Sequence, residues 1–226
     1  PRDGDDLDAL QRAADAAMYR AKAEGRNTWR FYTAELQAQS NRTLLLSNAL
    51  RRAIERDQLS LAYQPQMDLA SGRIIGAEAL LRWQHADFGN VSPAEFIPIA
   101  ESTGLILPIG EWVLRETARQ LAAWDLEGLP PLAVAVNVSS VQFRQGDLPA
   151  LVQRTVQAVG IGIDRIEVEL TEGAAMQDPQ SAIAMMNALY ENGTELAIDD
   201  FGTGYSSLAY LKNFPVGKLK IDRSFV

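Results

Sequence analysis

Five short apolar stretches of this chain keep their polar side chains on one face only, and no other feature limits the possible fold so tightly. Along a strand, successive side chains point to opposite faces, so residues two apart share a side. Within 166–170, Ile166, Val168 and Leu170 form one set and leave Glu167 and Glu169 together on the other. Val134, Val136 and Val138 share a face, and Ala133, Ala135 and Asn137 share the opposite one. Leu196 and Ile198 oppose Glu195, Ala197 and Asp199, while Leu219 and Ile221 oppose Lys218, Lys220 and Asp222. Glu78 and Arg82 fall together, across from Ala77, Ala79 and Leu81.

Predicted strands at 59–64, 74–82, 132–138, 165–170, 195–199 and 218–222 alternate with helical patterns at 93–102, 111–124, 148–159 and 179–192. Repeated strand–helix units predict an α/β fold with a parallel sheet, open or closed into a TIM-like (β/α) barrel. Helices cover the outside of such a barrel and demand apolar residues there, so the polar sets point inward. Each lies near the C-terminal end of its strand, where βα-barrel enzymes carry their chemistry. A complete barrel takes about 250 residues. This region is shorter and offers six strand candidates, so the barrel is expected to lack its C-terminal part.

Carboxylates facing one another across a small lumen repel strongly unless protons or cations neutralise them. Glu78, Asn137, Glu169, Asp199 and Asp200 make an all-oxygen set of the kind Mg²⁺ or Mn²⁺ prefers. Adjacent Asp199 and Asp200 can serve two ions about 3.5–4 Å apart. Lys220 would stand beside them, placed to orient or deprotonate a water, with burial and neighbouring cations lowering its pKa. The absence of cysteine removes disulfides, zinc fingers and thiol nucleophiles, and a single histidine, His85, cannot build a His-rich metal site. A net charge of −8 disfavours nucleic-acid polymers and anionic membranes as partners. A phosphate substrate would therefore need local positive charge, which bound metal ions supply.

Taken singly, each of these residues has an ordinary explanation: an acidic turn at 199–202, a loop-starting Asn137, an edge-strand charge at Lys220. Polar residues on the same inferred face of five strands make coincidence a poor explanation. The stretch 202–206 lacks the lysine and spacing of a P-loop and reads as a mobile loop after the carboxylates. Trp83, Trp112, Trp124, Met176, Met185 and Met186 read as packing residues.

Toward the N-terminus, 7–24 has helical spacing with a stripe of Leu10, Ala14, Ala17, Met18 and Ala21, Gly25 takes the position of a C-cap, and 28–32 reads as a short strand. Such a pair cannot bury its apolar faces alone, so 1–32 is expected to be a domain fragment. A helical linker is expected over 33–57, carrying Leu44, Leu45, Leu46, Leu50 and Ile54. No apolar run approaches the roughly 20 residues that span a bilayer. The segment is expected to be cytoplasmic and without direct membrane contact, any anchor lying upstream.

These residues also carry a pattern. Glu78-Ala79-Leu80-Leu81-Arg82, preceded by Tyr63-Gln64-Pro65, resembles the signature of EAL-domain proteins. Asn137-Val138-Ser139, Glu169-Leu170-Thr171-Glu172, the run from Asp199 to Leu208 and Lys220-Ile221-Asp222 follow in that family's order and approximate spacing. The resemblance covers 59–226, the core of an expected domain over 58–226. It implies a modified barrel with one antiparallel strand, which hydrolyses cyclic di-GMP to linear pGpG. Glu78, Asn137, Glu169 and Asp199 would ligate one Mg²⁺ or Mn²⁺, and Asp199 and Asp200 a second. Lys220 would assist the attacking water, and Glu172 would hold the 199–202 loop in a competent shape. Gln64, Leu81, Arg82 and Asp222 would meet the substrate or support its site. A homodimer is the expected assembly. Later motifs of the family would lie beyond Val226, so a chain ending there is expected to be inactive. The rival readings are a cyclic di-GMP receptor without hydrolysis, though every visible motif residue is intact, and a barrel acting on another phosphoester. The segment 16–27 resembles the closing helix and turn of GGDEF domains, making 1–32 the remnant of such a domain, with no synthesis activity assigned to it.

Overall fold

The computed structural model describes residues 6–23, 27–203 and 208–225. The C-cap reading at Gly25 and the loop reading over 204–206 lie outside the described residues. The chain divides into two compact units, Pro1–Arg52 and Ala53–Val226.

In the first unit, α1 (Leu7–Ala23) packs on α2 (Ala34–Leu50). The Thr33 hydroxyl caps α2 by accepting from the Leu36 N–H at 3.3 Å. The buried side of α1 runs through Ala13 and Ala21, while Leu10 and Met18 of the expected stripe stay exposed. The expected strand at 28–32 does not form. A strand needs a neighbour for its backbone N–H and C=O groups, and these residues have no ladder partner among those described. Trp29 and Phe31 instead pack edge to face at 4.8 Å on the surface. The helical linker expected over 33–57 is helical only to Leu50 and then gives way to turns that close at Asp57 (φ 52°).

The second unit is built on a seven-stranded sheet. Its strands are β1 (Leu59–Asp68), β2 (Arg73–His85), β3 (Gly89–Val91), β4 (Ala133–Asn137), β5 (Ile166–Thr171), β6 (Glu195–Phe201) and β7 (Lys218–Ile221). The order is β1-β2-β4-β5-β6-β7, with β3 paired to β2 outside this path. β1 runs antiparallel to β2, and β2, β4, β5, β6 and β7 pair in parallel. The mostly parallel α/β arrangement is the one the strand–helix pattern predicts, and β1 is a reversed strand of the kind the family resemblance implies. β3, at three residues, is too short to leave a periodicity signal. Gly76 lets β2 and β4 approach, since a Cβ there would lie 2.8 Å from the Ala133 carbonyl oxygen.

The connecting helices are α3 (Pro93–Thr103), α4 (Ile106–Leu126), α5 (Ser140–Gln145), α6 (Leu148–Val159), α7 (Glu172–Gln177), α8 (Pro179–Glu191) and α9 (Leu208–Leu211). α4 starts five residues before its predicted position at 111. Pro108 lies in its first turn, where a missing N–H leaves no intrahelical bond unmade, so this proline does not interrupt the helix. α5 and α7 are absent from the sequence reading because each is a single short segment at a strand end. Both are fixed by caps. Ser139 forms a capping box with Gln142, and the Thr171 hydroxyl accepts from the Ala174 N–H at 3.3 Å.

The core lies between sheet and helices. Val134, Val136, Ile166, Val168, Leu170, Leu196 and Ile198 are buried, as are Leu114, Ala118 and Leu121 of α4, Val152 and Val156 of α6, and Met186 and Leu189 of α8. Trp83 is buried too, packing edge to face on Phe96 at 5.6 Å. The apolar parity set therefore faces the helices, which leaves the polar set on the inner face. Replacing a fully buried side chain, as in Ile166→Ala, should cost about 2–5 kcal/mol in urea unfolding. Leu69→Ala, at a side chain 95% exposed, should change stability by under about 0.5 kcal/mol. Equal shifts in the two variants would contradict the placement of Ile166 in the core.

Candidate active site

The register of the parallel sheet decides which side chains meet. Glu78 is paired with Ala135, Asn137 with Glu169, and Glu169 in turn with Ala197. The two alanines leave room for long side chains on neighbouring strands to converge. Glu78, Glu169 and Asp199 each present a carboxylate oxygen, all within 4.8 Å of one another. Lys220 reaches into the group from β7, with its Nζ at 3.1 Å from Glu78, 2.5 Å from Glu169 and 3.0 Å from Asp199. Asn137 completes it by donating from Nδ2 to Glu78 Oε1 at 2.6 Å.

Burial is uneven across the cluster: the Glu169 side chain is 0% exposed, that of Lys220 27%. Burial, with the negative charges of Glu78 and Asp199 adding to it, pushes the Glu169 carboxyl up to about 7 against the pull of Lys220. For Lys220, burial favours the neutral amine, but its bonds to Glu169, Asp199 and Glu78 overcome this and hold the ammonium well above its usual range. The lowering expected from sequence was for an amine beside bound cations; among the carboxylates alone the direction is upward. Three carboxylates touch the amine directly, and their attraction exceeds the desolvation of a group that keeps some contact with water.

Asp200 reaches the same edge by a different route. The β6–β7 register shifts between Ile198 and Phe201, with one more residue on β6 than on β7. That bulge contains Asp199 and Asp200, and Asp200 takes the left-handed φ of 53°, which aspartate tolerates. Its N–H donates to Asp199 Oδ1 at 2.8 Å. Burial, then the charges of Asp199 and Asp222, raise its carboxyl above the ordinary value. Simple alternation would send Asp200 to the face opposite Asp199; the bulge interrupts that alternation, and Asp200 lies near enough to feel the charges of Asp199, Asp222 and Lys220 without being one of the three converging carboxylates.

The remaining predicted residues surround this group. Gln64 is the cross-strand partner of Glu78. Buried Glu172, at the start of α7, accepts from the Gly202 N–H at 2.7 Å and so ties β5 to the turn after the bulge. Gly202 has φ +100°, a conformation that other residues adopt only with strain. Asp222 accepts from the Ser224 N–H at 2.9 Å. Arg82 is exposed and turns its Nη1 to the Leu81 carbonyl at 3.0 Å. Leu81, Arg82 and Asn137 border a cavity of about 450 Å³ beneath α3, α4, α5 and α7. Glu101 also lines it, its carboxyl raised by burial. The sequence reading does not single out Glu101, because an acid within a helical pattern reads as a solvated face. His85 is outside the group, stacked on Phe88 and accepting from the Asp87 N–H.

The residues suit a hard divalent cation. Their donors are all oxygens, and Glu169 Oε1 is buried without a hydrogen-bond partner. An acceptor in that state is what an ion would satisfy.

A family model described as EAL domain matches residues 47–226. The chain belongs to the EAL domain family. This EAL-domain chain is 43% identical over 226 residues to the bifunctional diguanylate cyclase/cyclic di-GMP phosphodiesterase MucR of Pseudomonas aeruginosa, covering 100% of this chain and 33% of that protein. It is 39% identical over 226 residues to the cyclic di-GMP phosphodiesterase NbdA of the same organism, covering 100% and 29%. The chain thus spans about a third or less of the length of these curated relatives. The solved PaMucR phosphodiesterase in complex with c-di-GMP superposes with a TM-score of 0.77 and 44% identity, over 80% of this chain and 73% of that one.

Removing the central cation from the EAL cluster tests its electrostatics. Lys220→Met should cost about 3 kcal/mol of stability in a chelator, because Glu169 is left buried without its counter-charge. Added Mn²⁺ should recover part of that loss. Chemical unfolding at neutral pH reads both, and an unchanged midpoint would contradict the arrangement.

Proposed function

We propose that this EAL domain hydrolyses a phosphodiester bond of cyclic di-GMP, leaving linear pGpG, with two Mg²⁺ or Mn²⁺ ions as cofactors. The observation that carries the reading is the meeting of Glu78, Glu169 and Asp199 within 4.8 Å from three different strands. The phosphodiesterase names of MucR and NbdA, and the c-di-GMP complex of a structural neighbour, support the choice of substrate.

Glu78, Asn137, Glu169 and Asp199 would hold one ion, and Asp199 with Asp200 would hold the other. Such ions, when bound, lower the pKa of water and neutralise charge on the phosphate. Lys220, released from its bonds to the three carboxylates when ions take its place, would orient the attacking water from the edge of the group. Arg82 holds a phosphate, assisted by the Leu81 backbone, while Gln64 lies toward a guanine and Asp222 supports the substrate near Asp200. Glu172 keeps the bulge and the following turn in shape through Gly202, so that both aspartates stay aimed at one place. Holding the phosphate, the water and the leaving oxygen in line is the larger part of what the chain itself contributes.

The domain boundaries follow the same reading: a GGDEF-like remnant over 1–32, a linker over 33–57 and the EAL domain from 58 onward. The match of a bifunctional cyclase/phosphodiesterase along the whole chain supports the first of these.

In the full-length protein, cyclic di-GMP with Mn²⁺ or Mg²⁺ should yield pGpG by chromatography, and a chelator should stop it. Glu78→Ala should reduce turnover to background. Lys220→Ala should slow turnover by about 10²-fold, as expected for loss of a group that positions the attacking water, while sparing binding of the dinucleotide. Binding without product in the unmutated protein would make the domain a receptor. Turnover of other phosphodiesters with no selective affinity for cyclic di-GMP would overturn the choice of substrate.

A further inference from the structure

One charged pair on the inner face has no part in the site just described. Lys218 Nζ lies 2.6 Å from Glu167 Oε2, with side chains 49% and 4% exposed. The other oxygen, Glu167 Oε1, is buried without a hydrogen-bond partner. A carboxylate this dry depends on its one cation, because an unpaired buried charge is strongly disfavoured.

The placement of the pair repeats that of the site one step below it. Glu167 and Glu169 are two apart on β5, and Lys218 and Lys220 two apart on β7. Between these strands, β6 places Ala197 opposite both Glu169 and Lys218. A methyl group at that point lets both lysines cross β6, giving two rungs, Lys218–Glu167 and Lys220–Glu169.

The register of β7 is held by the Lys220 ion pairs, by short pairing on both sides of the bulge and by the Lys218–Glu167 pair. The strand is four residues long, and its pairing with β6 is interrupted by the bulge that carries the aspartates. Upstream of the bulge, the pairs Ala197–Lys218 and Ile198–Leu219, with the Gly217 N–H to Leu196 carbonyl bond at 3.0 Å, set the alignment. A slip of one residue would turn Leu219 inward and Lys220 outward, since side chains alternate along the strand. The same slip would break the lower rung and strand Glu167.

We infer that Glu167 and Lys218 are a positioning pair that helps to fix the register of β7 and so aims Lys220 at Glu78, Glu169 and Asp199. The consequence for turnover rests on the phosphodiesterase reading above. The consequence for β7 does not.

The test uses the full-length protein with Lys218→Met, Lys218→Arg and the isosteric Glu167→Gln. Two readouts are taken: amide hydrogen exchange over 218–221 and steady-state hydrolysis of cyclic di-GMP with Mn²⁺. Lys218→Met should raise exchange over 218–221 by about 10-fold, with 133–137 unchanged. It should lower kcat by about 10- to 100-fold at constant KM, the pattern of a misaimed group with substrate binding intact. Lys218→Arg should restore both readouts. Glu167→Gln should move them in the same direction as Lys218→Met and serves in its place if that variant does not fold. A lower unfolding midpoint with normal β7 exchange and normal kcat would reduce the pair to a structural contact and overturn the inference. If the unmutated protein does not hydrolyse cyclic di-GMP, the phosphodiesterase reading fails, and exchange over 218–221 still decides the pair.

Discussion

Three carboxylates brought to one ammonium are the constraint on which the rest of this structure depends. Glu78, Glu169 and Asp199 approach within 4.8 Å, and Glu169 has no contact with solvent to screen it. Without a cation, that arrangement would drive the strands apart or force protons onto the acids. Lys220 offsets the repulsion while leaving Glu169 Oε1 with no partner, so the neutralisation is incomplete. A site in this condition is organised before any ion arrives and retains an acceptor for it.

The surrounding fold can be understood as what holds these charges in place. Parallel pairing sets Asn137 beside Glu169 and puts Ala135 and Ala197 where bulk would block convergence. The bulge in β6 interrupts the alternation at Asp199 and Asp200, and Glu172 locks the turn behind it through Gly202. Short capped helices follow β4 and β5 directly, so the strand ends bearing Asn137 and Glu169 lead into rigid structure instead of long loops. Buried valines, leucines and isoleucines on the outer face contribute the stability that a cluster of charges opposes.

Much of this was legible in the residues. Alternation in β4, β5 and β6 gave the inner and outer faces, because a βα unit buries one face under helices and leaves chemistry to the other. What alternation could not reveal was any departure from it. Asp199 and Asp200 sit in a bulge, and a bulge leaves no periodic trace. α5 and α7 were missed because six residues are less than two helical turns. The segment 28–32 has strand-like composition, but a strand requires a neighbour, and none among the described residues offers one. The three carboxylates that surround Lys220 come from distant strands, a juxtaposition that only the folded register creates.

Anomalous diffraction from crystals soaked in Mn²⁺ would probe the central claim most directly, since it locates the cation without reference to turnover. A peak about 2.0–2.3 Å from oxygens of Glu78, Glu169 and Asp199, with Lys220 displaced from its present bonds, is the expected result. Crystals in which Mn²⁺ binds elsewhere, or in which Lys220 keeps all three carboxylates at saturating metal, would show that the cluster is an ion-pair network and not a metal centre.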